Sequence, residues 1–82
     1  MSVEIKKTFH KDGALQIICY YENGDLHRED GPAYETYFSN GQLLNASYWL
    51  KGNFFYSKKE YDRHVALLNF SRQTKTDANL SL

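Results

Sequence analysis

Asn23-Gly24-Asp25-Leu26-His27-Arg28-Glu29-Asp30-Gly31-Pro32-Ala33 is the stretch that decides how this chain is organised. It holds the only proline, two of the five glycines and one of the three histidines. Asn-Gly is the favoured pair for a two-residue hairpin turn, because both turn positions of type I′ need positive φ. Asp30-Gly31-Pro32 then breaks the ladder that the turn begins. Proline donates no backbone hydrogen bond, and glycine reaches backbone angles closed to other residues. A strand must therefore enter this stretch, turn, run back briefly and stop.

Upstream, Val3, Ile5 and Phe9 alternate with Glu4, Lys6, Thr8 and His10, the period-2 pattern of a strand with one wet face. Lys11-Asp12-Gly13 turns the chain into a second strand over residues 14–21. Leu15, Ile17, Cys19 and Tyr21 share one of its faces. Downstream, residues 33–39 resume as a strand, and Asn40-Gly41 repeats the type I′ signal. The longest strand covers residues 42–50, and Lys51-Gly52 turns it into Asn53-Phe54-Phe55-Tyr56. At Ser57 the period changes. Ser57-Lys58-Lys59-Glu60 fits a capping box, in which the serine oxygen and the glutamate carboxylate satisfy backbone amides reciprocally. Tyr61, Val65 and Leu68 follow at helical spacing, widened by Leu67 and Phe70. The pattern predicts a helix over residues 58–72 and a flexible polar tail over residues 73–82.

Gly13 to Gly41 and Gly24 to Gly52 are both separated by 28 residues. In that register Phe9 falls on Tyr37, Leu15 on Leu43, Tyr20 on Tyr48 and Tyr21 on Trp49. The expected fold is α+β: an antiparallel β-meander of five to six strands, made of two 28-residue hairpin repeats, with one C-terminal helix packed on one face. Residues 1–72 form its single domain.

Ten basic and ten acidic side chains cancel. That balance argues against a strongly basic nucleic-acid binder and against an acidic mimic of one. The single cysteine, Cys19, has no internal disulfide partner, and no set of cysteines and histidines has zinc-ligand spacing. The first residues lack the apolar run of a secretion signal, and no run approaches the roughly 18 residues of a membrane helix. A cytoplasmic protein that does not insert into membranes is the expectation.

Tyr21-Glu22-Asn23-Gly24-Asp25-Leu26-His27-Arg28-Glu29-Asp30-Gly31-Pro32-Ala33 resembles the "NG-x-LHR-x-DGPA" repeat of small bacterial and bacteriophage proteins, a family similar to MORN-type repeats. The resemblance covers roughly residues 8–65 when the degenerate second unit is included. That unit keeps Asn40-Gly41, Tyr48-Trp49 and Lys51-Gly52. Tyr56-Ser57-Lys58-Lys59-Glu60-Tyr61 resembles the way phage members close. The resemblance implies a β-meander and an interaction role, with no general enzymatic activity and no named partner.

His27, Arg28, Glu29 and Asp30 have two readings. In one, a carboxylate orients an imidazole beside a guanidinium as a polar site. In the other, which we prefer, His27, Arg28, Asp30, Gly31 and Pro32 are structural: Arg28 pairs with an acidic neighbour to lock the turn, and His27 bonds to nearby backbone. Cys19 with His27 would make a thiolate pair, but a mid-strand cysteine among Leu15, Ile17 and Tyr21 reads as a small buried hydrophobe. His10, His27 and His64 lie in different elements and have no metal-ligand spacing. No catalytic residue, metal or cofactor is assigned.

The aromatics exceed what one face of a small sheet can bury, and adjacent Tyr48 and Trp49 must point oppositely. The helix takes one face. The other would then expose Tyr and Phe, and Tyr20, Tyr34, Tyr37, Tyr48, Trp49 and Phe55 are the candidates for an aromatic protein-binding surface. The expected function is a non-catalytic interaction module, a small phage or prophage accessory protein that inhibits or modulates a host or phage protein. Counter-defence such as CRISPR-Cas inhibition, and control of host or lysis machinery, both fit. A homodimer is also open to it. The alternative is a nucleic-acid-associated protein that stacks bases on sheet aromatics and meets phosphates with helix Lys and Arg.

Overall fold

In a computed structural model the chain is described from Ser2 to Ser81, with side chains described as far as Arg72. The strands are β1 (Val3–Phe9), β2 (Leu15–Glu22), β3 (Asp25–Leu26), β4 (Tyr34–Tyr37), β5 (Leu43–Leu50) and β6 (Asn53–Phe55), followed by helix α1 (Lys58–Ser81). All pairings are antiparallel, in the order β1-β2-β4-β5-β6, with β3 also on β2. The architecture is the expected α+β fold, an open antiparallel sheet with the helix packed on its β5–β6 end.

β2 carries β1 along one edge. Its other edge is shared by β3, which pairs through Tyr21 and Glu22, and β4, which pairs through Ile17, Ile18 and Cys19. Between β3 and β4 the chain leaves the sheet over residues 27–33, where Asp30-Gly31-Pro32 was expected to break the ladder. The backbone around the gap stays paired. Tyr20 accepts from the His27 amide at 2.9 Å and donates to the Ala33 carbonyl at 2.8 Å. Arg28 and Ala33 donate to Trp49 and Ser47 at 3.2 and 3.0 Å, and the Gly52 amide donates to the Leu26 carbonyl at 2.9 Å.

Two kinds of turn alternate, each recurring 28 residues on. Asn23 and Gly24 have φ of 52° and 87°, and Lys51 and Gly52 have 51° and 81°; both pairs match type I′, and only the first contains the expected asparagine. Asn40-Gly41 differs from expectation. Only Gly41 has positive φ, at 91°. The Gly41 amide donates to the Phe38 carbonyl at 3.0 Å and the Phe38 amide to the Gln42 carbonyl at 2.9 Å. This is a three-residue loop, a type I turn closed by a glycine bulge. Asn40 keeps negative φ because its Oδ1 accepts from the Gln42 amide at 2.9 Å, an Asx turn that serves the loop locally. Lys11-Asp12-Gly13 builds the same loop: Gly13 donates to His10 at 2.9 Å, His10 to Ala14 at 2.8 Å, and Ala14 to Asp12 Oδ1 at 3.0 Å.

The core is thin. Among the described residues its buried hydrophobic members are Ile18, Cys19, Ala33, Leu50 and Tyr61. β1 does not have the expected dry face, because every one of its residues is exposed. Among the described residues α1 makes its main contact with the sheet at the β5–β6 end, and the β1 end has no packing of comparable extent above it. On α1 the expected stripe narrows to buried Tyr61 with half-buried Val65 and Leu68. Leu67 and Phe70 are 54% and 65% exposed, since the sheet supplies only β5 and β6 for the helix to rest on. The helix passes the expected end at Arg72, for nothing in Ser71-Arg72-Gln73-Thr74-Lys75 breaks a helix. The flexible tail expected over residues 73–82 falls on side chains outside the described residues.

Half of the capping box forms. The Glu60 amide donates to Ser57 Oγ at 3.3 Å. The Glu60 carboxylate turns instead to the Arg63 guanidinium at 3.4 Å and the His64 ring at 4.0 Å, one turn further along its own face.

Candidate functional site

Residues 27–33 sit where β2, β5, β6 and α1 converge, and four side chains fix them. The first is His27, 6% exposed. Its Nδ1 accepts from the Lys51 amide at 2.9 Å, so the lone pair at Nδ1 is used and the ring proton sits on Nε2. Nε2 therefore donates to Glu29 Oε2, at 2.8 Å. His27 thus ties the excursion to the Lys51-Gly52 turn of the second hairpin. Its backbone partner lies 24 residues away in sequence rather than close by.

Arg28 pairs with an acidic neighbour of its own turn. Its Nε donates to Asp30 Oδ1 at 2.9 Å, and its Nη1 to the Pro32 carbonyl at 3.1 Å. The guanidinium lies over the Tyr20 ring, 4.0 Å from its centroid, a cation–π contact. Gly31 does not use the unusual angles expected of it, for its φ is not positive. Its missing side chain matters for another reason: a Cβ there would lie 3.1 Å from Arg28 Cζ. Gly31 is where the guanidinium passes close to the backbone.

The third is Tyr61 on α1, 2% exposed. Its ring stacks at a tilt on Tyr48 with centroids 4.5 Å apart and meets Phe55 edge-on at 6.2 Å. Its hydroxyl donates to the Arg28 carbonyl and accepts from the Gly31 amide at 3.2 Å. Burial raises the hydroxyl's pKa, which keeps it a protonated donor. The fourth is Arg72, whose two terminal nitrogens each donate to Glu29 at 2.8 Å. This bidentate pair and the His27 hydrogen bond draw the Glu29 pKa down from 4.5 to about 2. The preferred structural reading of the motif thus fits this geometry, although the pairing of His27 with Glu29 belongs to the other reading. The sequence pattern does not single out Glu22 or Arg72, and it reads Tyr61 only as a member of the helix stripe; their roles come from contacts made across 30 or more residues by Tyr61 and 43 by Arg72.

His27, Arg28 and Arg72, but not Tyr61, wall a cleft of about 470 Å³ whose lining is completed by Val3, Ile5, Tyr20, Glu22, Glu29 and Asp30. Among the described residues, Glu22, His27 and Glu29 bring potential metal-ligand atoms within 4.8 Å of one another. The donor set does not suit a cation as built. His27 Nε2 carries a proton, its other nitrogen is committed to Lys51, and the Glu29 oxygens already hold a guanidinium. Cys19 is not brought to His27. It lies on the face of β2 opposite Tyr20 and Glu22, which line the cleft. His10 and His64 are elsewhere, donating to the Tyr37 carbonyl at 2.8 Å and the Glu60 carbonyl at 2.9 Å.

The six candidate aromatics do not form one surface. The register places Tyr20, Tyr48 and Phe55 on the helix side of the sheet and Tyr34 and Trp49 on the other. Tyr48 and Phe55 are occupied by Tyr61, Phe55 also by His64, and Tyr20 by Arg28. Trp49 donates from Nε1 to Ser47 Oγ at 2.8 Å and packs on Phe54 at 5.4 Å. Tyr37 ends β4 half-buried, where burial raises its pKa. All six are half-buried. The apolar surface that is open comes from other residues: Phe9, Phe38, Leu43, Leu44, Phe54 and Tyr56, together with Val3 and Ile5. Hydropathy patterning points to these residues as strand formers. Val3 and Ile5, in register with Glu22 and Tyr20, lie on the helix side beyond its main contact, whereas Phe54, in register with Trp49, lies on the face away from α1.

Comparison with protein-family models, with curated proteins and with solved structures gave no match.

Proposed function

We propose that this chain is a non-catalytic protein-interaction module whose sheet is completed by a partner. The observation that carries the proposal is the balance of apolar groups. Ten large hydrophobic side chains are exposed among the described residues, against five buried hydrophobic residues. A chain of this size that leaves so much apolar surface in water gains by covering it. Phe38, Leu44, Ile17 and Tyr37 line a depression of about 360 Å³ beside the His10 loop, a shape suited to an inserted side chain.

The resemblance of residues 26–33 to repeats of phage and bacterial proteins supports a finer version. In it the chain is a phage or prophage accessory protein acting in the host cytoplasm. It binds and inhibits or modulates a host or phage protein, as in counter-defence against CRISPR-Cas or control of lysis. The blockade is steric and needs no chemistry from the module.

Affinity capture from the host, comparing the wild type with a Phe9→Ser/Phe38→Ser/Leu44→Ser variant, tests the surface. The variant is expected to lose the captured protein while keeping its circular dichroism spectrum. Unchanged capture would refute the assignment. A nucleic-acid role has less support, because Lys58 pairs with Asp62, Arg63 with Glu60 and Arg72 with Glu29. Oligonucleotide binding that weakened with salt would favour that role instead.

A further inference from the structure

The outer edge of β1 carries a pairing code for its own sequence, and we propose that two copies of this chain join there, β1 against β1, into one continuous sheet. β1 is the terminal strand of the sheet and exposed along its whole length. Which of its backbone groups point outward follows from its inner neighbour. Tyr20 spends its amide and carbonyl on Ala33 and His27, on the side away from β1. Odd-numbered β2 residues therefore bond to β1, and their partners in register are Glu4, Lys6 and Thr8. The Asn23 amide donating to the Ser2 carbonyl at 2.7 Å extends the same parity. Val3, Ile5 and Lys7 are left with amides and carbonyls directed out of the sheet.

A two-fold antiparallel pairing must match these outward groups with one another. With the axis on Ile5, Val3 meets Lys7 of the second copy, Ile5 meets Ile5, and Lys7 meets Val3. Each such pair exchanges two backbone hydrogen bonds. Between them, in the closer non-hydrogen-bonded positions, Glu4 faces Lys6 of the second copy, and Lys6 faces its Glu4. Both positions are unlike charges. Moving the axis to Glu4 sets that carboxylate against its own copy. Moving it to Lys6 or Lys7 sets an ammonium against its own copy, and like charges directly opposite are destabilising. Within the charged run, only the Ile5 axis satisfies both the parity and the charges. Lysines on an edge strand ordinarily discourage pairing; here the Ile5 axis gives Lys6 a carboxylate, whereas the Lys6 axis sets it against its own copy. That axis also brings together two Ile5 side chains that are 54% exposed in the single chain. The surface is separate from the Phe38–Leu44 depression, so dimerisation does not depend on the interaction role proposed above.

Sedimentation equilibrium of the full chain over a concentration series is expected to show a monomer–dimer equilibrium. Glu4→Lys alone and Lys6→Glu alone should each weaken dimerisation about tenfold, since each turns two symmetry-related attractions into repulsions. The Glu4→Lys/Lys6→Glu double variant should restore it. Both positions are exposed, so circular dichroism should match the wild type in all three. Ile5→Cys should also form a disulfide-linked dimer under mild oxidation, whereas Glu4→Cys should not, as residue 4 faces residue 6. A monomer at every concentration would overturn the proposal. So would a dimer indifferent to both single swaps, or one that the double variant fails to restore.

Discussion

Replacing Tyr61 by phenylalanine is expected to destabilise the protein by about 2 kcal/mol while leaving its aromatic packing in place. The substitution keeps the ring that lies against Tyr48 and Phe55 and removes only the hydroxyl. Two backbone groups then lose a partner: the Gly31 amide, which donates to that oxygen at 3.2 Å, and the Arg28 carbonyl, which accepts from it. A buried polar group left unpaired costs about 1–3 kcal/mol. Arg28 and Gly31 are half-buried, so water replaces part of what is lost and the sum falls near the lower end for the pair. Against a total stability of about 4–12 kcal/mol for a chain of this length, the loss is large. It corresponds to a fall in Tm of about 8–16 °C for a domain of this size. Thermal unfolding followed by circular dichroism, with urea titration at fixed temperature, measures it. Tyr56, 96% exposed, supplies the control, and Tyr56→Phe should leave Tm unchanged. A Tyr61→Phe shift below about 2 °C would show that the hydroxyl does not hold the excursion, and the account of the joint would fail.

The other expectations concern the same joint and the turns around it. Glu29 titrates lower in the folded chain, about 2, than its ordinary value of 4.5, so the unfolded chain binds more protons in that window. The stability it contributes is fully present above about pH 4.5 and is lost as pH falls towards 2. Glu29→Gln should flatten this part of the stability–pH curve, and an unchanged slope would contradict the Arg72 pairing. His27→Ala strips the Lys51 amide of its acceptor and should cost about 2 kcal/mol. Faster hydrogen exchange at Lys51 would report it directly. Gly52→Ala should cost about 1–2 kcal/mol from positive φ alone. The added Cβ meets Asp25 at no less than 3.5 Å, ordinary contact, and a urea midpoint equal to wild type would refute the strain. Ser57→Ala should cost about 1 kcal/mol through the lost Glu60 amide bond, seen as reduced ellipticity at 222 nm on heating.

Local signals and long-range contacts were legible to very different degrees. Strand positions, the type I′ turn at Asn23-Gly24 and the serine cap depend on neighbours within a few residues and can be read directly from the chain, whereas Lys51-Gly52 reads as a turn without revealing its type. Asn40-Gly41 misled because asparagine satisfies two different turns, and the register shift between Thr36 and Tyr37, three to four residues earlier, accompanies the longer loop. Glu60 misled because Arg63 and His64 compete for the carboxylate that a capping box needs. The face that α1 buries could not be read either. A stripe of Tyr61, Val65, Leu68, Leu67 and Phe70 marks what a helix could cover, and only the sheet decides how much of it has something to cover. The joint lies furthest from what the chain reveals. Glu29 announces a charge, but nothing near it announces that Arg72 will neutralise it.

The bonds around residues 27–33 also determine how the protein must unfold. Leu26, His27, Arg28 and Ala33 belong to the first hairpin unit, and their partners Gly52, Lys51, Trp49 and Ser47 belong to the second. Neither unit can complete its own backbone pairing. A chain cut in the exposed loop at Ser39 would give two fragments that each lack half of a shared ladder, and these are expected to regain structure only on recombination. Despite the repetitive turns, the joint offers no boundary at which one unit could melt while the other survived. The two units are therefore expected to unfold together in one cooperative transition, seen as coincident urea curves by circular dichroism and fluorescence.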